Sequence, residues 1–327
     1  MLRAANFAGK ILVQMAQFVF CGDPGDFTRE ALVSSHFVIV PDLLAAHDAV
    51  RVFGQEAMLF VNSNIVRSKQ NDLEKVIREC QPTIALVYDD LPNAEMTALM
   101  LKHPIDHIIP RASENSRSCI IQLLSQRQRF APKHFQPGQL VHRQDVTLTN
   151  SDQCDDLYRQ LGKYVQSLNC FPGFEGVVLT AASELLTNAF YNGKRNLKTG
   201  APLVTDRRVK FALEKGETIT LTYGHEQNYF WLMVCDPFGS LDRNTLVRAL
   251  NRAAVERTPK INNNGGAGLG MLMLFDWSTE LNFFLDRNRS TCVACKFRLT
   301  NRNRVFEAEP SAIHIFASNA PAPAPAI

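Results

Sequence analysis

The sequence predicts an α/β protein of two domains, and three observations support this fold class. The chain has 327 residues, of which 46% are hydrophobic, so it is long and apolar enough for two cores. Residues 1–128 alternate short apolar runs with helix-like segments, a pattern typical of a parallel sheet covered by helices. Residues 129–139 include Pro132, Pro137 and Gly138 and break this periodicity, so they are predicted to be a linker.

Five strands and five helices are predicted in the N-terminal domain (1–128). The strand candidates are continuous apolar runs: Phe18–Cys21, Phe37–Val40, Met58–Val61, Thr83–Tyr88 and Asp106–Ile109. The helix candidates are Phe27–Ser34, Leu43–Phe53, Asn71–Glu79, Ala94–Lys102 and Asn115–Ser125. This order of elements resembles the receiver domains of two-component signalling, and the resemblance implies a flavodoxin-like parallel sheet.

The phosphorylation chemistry of a receiver is missing from this domain. The resemblance requires an aspartate at the end of the third strand, where this sequence has Asn62, and a lysine after the fifth strand, where it has Ile109-Pro110-Arg111. An amide cannot form an acyl phosphate. We therefore predict a pseudo-receiver used for docking or homodimer formation. Four loop acids are interpreted as surface residues, although they can gather near the strand ends: Asp23, Asp26, Asp89 and Asp90.

The C-terminal domain (140–305) begins with a predicted strand and two predicted helices. These are Leu140–Leu148, Cys154–Leu168 and about Gly173 to Tyr191, the last with Pro172 at its start and Gly193 just past its end. Glu184 and Asn188 are four residues apart on the long helix, so they share one face. Residues 306–327 are predicted to be a tail with a disordered Pro/Ala-rich end.

Two further segments add possible binding chemistry. The predicted strands Thr218–Tyr223 and Tyr229–Cys235 are followed by Asp236-Pro237-Phe238-Gly239. Residues 262–270 (NNNGGAGLG) then lead directly into the apolar helix Met271–Phe275. Glycines at a helix N-terminus let backbone N–H groups approach an anion. A single glycine-rich turn is weak evidence, but this one follows two other ordered elements.

The three elements together resemble the GHKL ATPase superfamily, which includes the histidine kinases and the anti-sigma factor serine kinases. Glu184-x-x-x-Asn188-Ala189 resembles its N box, and Asp236-x-x-Gly239 and Gly266-x-Gly268-Leu269-Gly270 resemble its two glycine boxes. The resemblance covers about half of the chain. It implies a Bergerat-type α/β sandwich that binds ATP and Mg²⁺ between a mixed sheet and its helices.

The resemblance also assigns roles to individual residues. Asn188 would coordinate Mg²⁺ through its side-chain oxygen, and Asp236 would accept a hydrogen bond from the adenine amino group. Thr291 matches a threonine near adenine in many members. Nucleotide contacts are further implied for the residues of the two glycine boxes, Gly239, Gly266, Gly268, Leu269 and Gly270, whose glycines would let the lid fold around the phosphates. Phe238 and Ser240 stand where the superfamily has glycine, so Phe238 is expected to narrow or reshape the adenine pocket.

Within the superfamily, the layout is most similar to the anti-sigma factor serine kinases. The chain has no histidine in a helical setting typical of a dimerisation segment, and it is too short for a gyrase-type transducer domain. Glu184 is one turn from the predicted metal ligand, where a carboxylate can act as general base for a hydroxyl or water nucleophile. The predicted lid, Leu241 to Asn264, is rich in basic residues, which suits a triphosphate: Arg243, Arg248, Arg252, Arg257 and Lys260.

The predicted function is therefore a cytoplasmic, ATP-dependent regulatory kinase that phosphorylates or sequesters a protein partner of the anti-anti-sigma type or another signalling protein. Two alternatives stay open: a non-catalytic interaction protein gated by nucleotide, and the catalytic domain of a histidine-kinase-like protein. A net charge of +3 does not suggest nucleic-acid binding, and no apolar stretch reaches membrane-spanning length. The eight cysteines lack a framework spacing, so unpaired thiols are expected, without a metal or redox role for Cys292 and Cys295.

Overall fold

The computed structural model describes residues 18–22, 37–53, 57–111, 140–195, 203–204, 209–256 and 269–318. It confirms the α/β class, and the chain divides into two compact units, Met1–Ser125 (unit 1) and Gln126–Ile327 (unit 2). No helix within these described ranges is long and apolar enough to cross a membrane.

Unit 1 contains a parallel sheet with the strand order β2-β1-β3-β4-β5. Its elements are β1 (Phe18–Cys21), β2 (Phe37–Val40), α1 (Leu43–Phe53), β3 (Met58–Asn62), α2 (Ser63–Ser68), α3 (Gln70–Cys80), β4 (Thr83–Tyr88), α4 (Asn93–Lys102) and β5 (Ile105–Pro110). All five predicted strands are confirmed, as are the helices now labelled α1, α3 and α4. The other two predicted helices, Phe27–Ser34 and Asn115–Ser125, lie outside the described residues.

The buried strands of unit 1 explain why the apolar runs predicted them correctly. Every residue of β3 is buried, and so are five of the six residues of β4. A parallel strand covered on both faces needs apolar side chains at successive positions, not at alternate ones. The extra helix α2 follows β3 directly and has only six residues, too few for its periodicity to be visible in the sequence.

Unit 2 contains a mixed sheet with the strand order β11-β9-β10-β8-β7-β6, in which β11 is parallel to β9 and the other pairs are antiparallel. Its elements are β6 (Val141–Leu148), α5 (Cys154–Gln166), α6 (Phe174–Thr187), a π-helical turn (Asn188–Asn192), β7 (Ile219–Glu226), β8 (Tyr229–Asp236), α7 (Arg243–Glu256), α8 (Leu269–Trp277), β9 (Glu280–Asp286), β10 (Ser290–Arg298), α9 (Asn303–Glu307) and β11 (Ala312–Ala317).

Strand β11 lies beyond the predicted end of the C-terminal domain at residue 305. Its register places Ile313 beside Leu281 and Ile315 beside Phe283, and both isoleucines are buried. Residues 312–317 therefore belong to the sheet although the sequence predicted them to be part of a tail. The Pro/Ala-rich end of that tail lies outside the described residues.

One face of the unit 2 sheet packs against helices. Helix α6 contacts β8, and α5 and α8 both contact α6. The buried side of α6 is apolar, as expected for a helix that covers a sheet: Phe174, Val178, Ala181, Ala182, Leu185 and Leu186. This packing fixes the height and rotation of α6 above β8, and thereby the position of the polar side chains on the neighbouring side of the helix.

The opposite face of this sheet contains a buried ion pair between Lys296 on β10 and Glu280 on β9. Their side chains are 3% and 0% exposed, and Lys296 Nζ lies 3.6 Å from Glu280 Oε2. The ammonium group also lies 4.3 Å from the ring centre of Tyr229 and 5.1 Å from that of Trp231. Asn282 donates a hydrogen bond of 3.0 Å to Glu280. The two buried charges thus have several polar neighbours besides each other.

The expectation of unpaired thiols is wrong for Cys235 and Cys292, which form a disulfide bond. These residues are directly opposite each other on the antiparallel strands β8 and β10, with Cα atoms 4.1 Å apart. Side chains at such a pair of positions lie close together on one face of the sheet, so two thiols there can be bridged. The sequence prediction had no information on this register. Five other cysteines within the described ranges are free: Cys21, Cys80, Cys154, Cys170 and Cys295.

Candidate functional site

A row of three polar side chains runs along one side of α6 and the π-helical turn that follows it. Asn188 Nδ2 donates a hydrogen bond of 2.9 Å to Glu184 Oε1, and Asn192 Nδ2 donates one of 2.8 Å to Asn188 Oδ1. The spacing of four residues puts all three on the same side, as predicted for the first two. The Asn188 oxygen has a second lone pair, so it can accept from Asn192 and still bind a cation.

The π-helical turn is a second local feature of this region. It begins at Asn188, where the regular hydrogen bonding of α6 ends, and it includes Asn192. Such turns are rare and occur frequently at functional sites. The sequence analysis did not identify Asn192, although its spacing of four residues from Asn188 was a usable signal.

Asp236 and Thr291 are paired directly across β8 and β10 on the helix-covered side of the sheet. Asp236 is only 8% exposed, and this burial raises the pKa of its carboxyl group to about 6. Backbone N–H groups of Phe238, Gly239 and Thr291 donate to the carboxylate and partly oppose that rise. The result is a buried acceptor group that is fixed in place by backbone donors.

Gly239 is required by the close approach of two loops. It has a φ of +58°, and a side chain there would overlap the backbone of Asp286 in the turn between β9 and β10. Its carbonyl accepts a hydrogen bond of 3.0 Å from the Asn288 N–H. Phe238, expected to narrow the adenine pocket, packs against Gly193, with Lys194 Nζ 6.0 Å from its ring centre.

A cavity of about 310 Å³ (the first cavity) lies between the sheet, α6 and α7. It brings together Glu184, Asn188, Asp236 and Thr291, four of the residues that the sequence singled out. The size is within the usual range for pockets that bind small molecules. The remaining walls combine apolar and polar groups, including Leu185, Ala189, Asn192, Val234, Ser240, Leu241, Thr245, Met271, Phe283 and Val293.

Two arginines give the first cavity a positive side. Arg195, just after the π-helical turn, and Arg252 on α7 both line it. Helix α7 is held by its apolar side, since Leu246, Leu250 and Ala253 recur at helical spacing and are buried. Its exposed residue Arg252 therefore reaches the cavity rim, where a cation attracts anionic ligands. Arg257 and Lys260 of the predicted lid lie outside the described residues.

A second cavity of about 520 Å³ (the second cavity) lies among α5, α6 and α8. Glu184 lines it as well as the first cavity, so this carboxylate stands between the two. The other lining residues are Tyr158, Leu179, Thr180, Ser183, Gly270 and Met273. Sequence periodicity gave no indication of this cavity, because it depends on how three helices pack.

Gly270, near the start of α8, is in direct contact with Glu184. A Cβ atom at this position would overlap the Glu184 carboxylate, so only glycine leaves that side chain where it lies. Leu269 is the first residue of α8. Gly266 and Gly268, the first two glycines of the second glycine box, lie outside the described residues.

The residues of the first cavity fit a nucleotide and a divalent ion. Among the described residues there is no group of three or more histidine, cysteine, aspartate or glutamate side chains that could hold a metal. Mg²⁺ typically binds through one or two protein ligands and takes its other ligands from phosphate and water. The Asn188 side-chain oxygen is suited to be the protein ligand of Mg²⁺. The buried Asp236 carboxylate is suited to accept a hydrogen bond from the amino group of a base.

In unit 1, the position expected for phosphorylation is occupied by Asn62, whose amide oxygen accepts a hydrogen bond of 2.7 Å from Arg111 Nη2. Arg111 Nε also lies 3.2 Å from Asp89 Oδ1. Arg111 follows the fifth strand, where the sequence lacks the expected lysine, and its side chain contacts Asn62 directly. Asp23 and Asp26 lie outside the described residues.

No known protein family matches this chain, and no curated protein matches it either. The functional interpretation of both units therefore depends on the arrangement of their own residues.

Proposed function

We propose that unit 2 is a GHKL-type, Bergerat-fold ATP-binding domain and that the protein is an ATP- and Mg²⁺-dependent regulatory kinase resembling the anti-sigma factor serine kinases. It would phosphorylate or sequester a protein partner. The observation that supports this most strongly is the first cavity, because Glu184, Asn188, Asp236 and Thr291 come from four elements and line one pocket.

The nucleotide would lie with its base toward the sheet. Asp236 and Thr291 are neighbours there, and a fixed, buried carboxylate is a good acceptor for the amino group of adenine. The phosphates would then extend toward Asn188 and the two arginines at the rim, Arg195 and Arg252. Mg²⁺, when bound, would neutralise phosphate charge, and Asn188 would supply its protein oxygen.

Glu184 is the residue that we propose as general base. Its carboxylate accepts a hydrogen bond from Asn188, so it is held next to the proposed phosphate end of the cavity. There it would take the proton of an attacking hydroxyl as the new oxygen–phosphorus bond forms. ADP would leave with the electron pair of the bond that breaks. A carboxylate beside the nucleophile favours serine or threonine as acceptor, since an imidazole needs less help in losing a proton.

For unit 1 we propose a pseudo-receiver that serves in docking or homodimer formation. Its parallel strand order of 2-1-3-4-5 supports this, and so does Asn62 at the carboxyl end of β3. The hydrogen bond from Arg111 to Asn62 holds the amide in a fixed position. An amide at this place cannot accept a phosphoryl group.

The proposal is tested by ATP binding and turnover of the full chain. Calorimetry measures binding with and without Mg²⁺, and release of labelled phosphate measures turnover, for the native protein and for Glu184→Gln. We expect turnover in the variant to fall about 10²–10⁴-fold, the usual contribution of a general base, with ATP affinity within a few-fold. Glu175→Gln is the matched control, because Glu175 is on the same helix and bonds to Gln166.

Three results of this experiment would decide against parts of the proposal. Absence of ATP binding would reject the nucleotide site as a whole. Equal loss of binding and turnover in Glu184→Gln would mean that Glu184 holds the metal or the helix. Tight, Mg²⁺-dependent binding without turnover would favour the alternative of a non-catalytic protein whose partner binding is gated by nucleotide.

A further inference from the structure

The two oxygens of the Glu184 carboxylate, which lines both cavities, have different neighbours. Oε1 accepts the hydrogen bond from Asn188, which lines the first cavity. Oε2 lies against Gly270, which lines the second cavity. A proton acceptor that lines both cavities can contact a hydroxyl group that enters through the second cavity and meets the nucleotide of the first.

The second cavity has the chemistry of a site for a polypeptide. Tyr158, Leu179 and Met273 give it aromatic and aliphatic walls, while Thr180 and Ser183 contribute hydroxyl groups. Thr180 and Ser183 are exposed, so the cavity opens to solvent along α6. Its volume of about 520 Å³ far exceeds the roughly 30 Å³ that one water occupies, so it admits a side chain together with neighbouring backbone.

We propose that the second cavity receives a serine or threonine side chain of a partner protein, and that Glu184 Oε2 removes the proton of its hydroxyl group. This inference rests on the proposed kinase function and adds to it the place where the acceptor enters. The hydroxyl oxygen forms a bond to the γ-phosphorus, and the bond from that phosphorus to the bridging oxygen of ADP breaks. The hydroxyl proton passes to Glu184 and later to water.

The lining residues favour a protein segment over a small alcohol. A serine side chain is short, so the backbone around it must enter the cavity with it. Thr180 and Ser183 can exchange hydrogen bonds with such a backbone, since their hydroxyls both donate and accept. Leu179 and Met273 offer an apolar surface to an aliphatic residue beside the acceptor, and methionine adapts readily to different partners.

Gly270, which the sequence singled out as part of the second glycine box, also supports this inference. Because a side chain at this position would overlap Glu184, the last glycine of the second glycine box keeps the carboxylate at the wall of the second cavity. Gly270 thus keeps the general base in place for the acceptor hydroxyl, and this role does not require Gly270 to contact phosphate.

The test blocks the second cavity without altering the first. Thr180 lies one helical turn before Glu184 and lines only the second cavity, so Thr180→Trp fills the entrance. Gln160→Trp is the matched control, because Gln160 is exposed on α5 and lines neither cavity. The full chain is incubated with labelled ATP, Mg²⁺ and a library of serine- and threonine-centred peptides with a leucine beside the acceptor, and with the same peptides carrying alanine in place of the acceptor.

We expect Thr180→Trp to lower phosphate transfer to peptides at least about tenfold, while ATP binding and hydrolysis by water stay within about threefold of the native protein. The control should transfer phosphate as the native protein does. Undiminished transfer by Thr180→Trp would overturn the inference and leave the proposed kinase function intact. Hydrolysis without transfer to any peptide would also overturn the inference. A native protein that binds no ATP would reject the proposed function, and the inference with it.

Discussion

Replacing Asp236 with asparagine should change how the stability of unit 2 depends on pH. Burial raises the pKa of this carboxyl group from the ordinary value of 3.8 to about 6 in the folded protein. Between these two values the folded state binds a proton that the unfolded state has released. The wild-type protein is therefore stabilised at low pH, and this contribution is lost as the pH rises through about 6. The side-chain amide in Asp236→Asn has no such proton to exchange, so the variant lacks this pH dependence.

The size of the effect follows from the two pKa values. One pKa unit corresponds to about 1.4 kcal/mol, so complete ionisation of Asp236 costs the folded state about 3 kcal/mol. When the pH is lowered from 8 to about 4.5, the unfolding free energy of the wild-type protein should rise by about 2 kcal/mol relative to that of Asp236→Asn. The substitution also alters the hydrogen bonds with Phe238, Gly239 and Thr291. This effect on the unfolding free energy is the same at both pH values, so it cancels when they are compared.

Tryptophan fluorescence during urea unfolding measures this stability. The only tryptophans of the chain, Trp231 and Trp277, are both in unit 2, so the signal reports on that unit. The unfolding free energy is obtained for both proteins at several pH values. Asp242→Asn is an informative control. Burial of the Asp242 carboxyl group raises its pKa, but hydrogen bonds from Thr245 outweigh burial and lower it. Asp242→Asn should therefore lower the unfolding free energy at pH values above the pKa of Asp242 in the unfolded chain, and by less as the pH falls.

A difference between wild type and Asp236→Asn that stays constant from pH 8 to pH 4.5 would refute the reasoning. It would mean that the carboxylate is hydrated and its pKa ordinary. A difference that grows in the opposite direction would mean that the backbone donors outweigh burial. The first result would remove the basis for treating Asp236 as a buried acceptor for adenine.

Three further predictions concern single contacts. Asn188→Ala should weaken ATP binding only when Mg²⁺ is present, by calorimetry, because its oxygen is the proposed metal ligand; an equal loss without Mg²⁺ would argue against that role. Gly270→Ala should lower turnover more than ATP affinity, because a Cβ at this position displaces the Glu184 carboxylate. Turnover at the native rate would show that the carboxylate can move without loss of activity. Small acyl-phosphate donors should not phosphorylate unit 1, since Asn62 cannot form an acyl phosphate; phosphate found there by mass spectrometry would contradict the pseudo-receiver interpretation.

Local patterns in the sequence were sufficient for much of the fold. Continuous apolar runs located the five strands that the structure describes in unit 1, and the bounds of α1 were predicted without error. The spacing of Glu184 and Asn188 placed them on one side of a helix, and the structure adds a hydrogen bond between them. Such features depend on residues that are close in the chain, so the sequence reveals them directly.

Features that depend on distant residues were missed for the same reason. The pairing of Cys235 with Cys292 requires the register of β8 against β10, and the contact of Gly270 with Glu184 requires the packing of α8 on α6. Strand β11 has a short apolar run, but only its position beside β9 distinguishes it from a tail. No periodicity within one segment contains this information.

The buried pair of Lys296 and Glu280 restricts how this protein can diverge during evolution. Loss of either partner would break this buried ion pair, which typically costs about 3–5 kcal/mol, a large share of the stability of an average domain. Replacement of both by apolar residues is far less harmful. Homologous sequences should therefore retain both residues or lose both together, and a correlated change at these two positions would identify a true relative even where the glycine-rich segment has diverged.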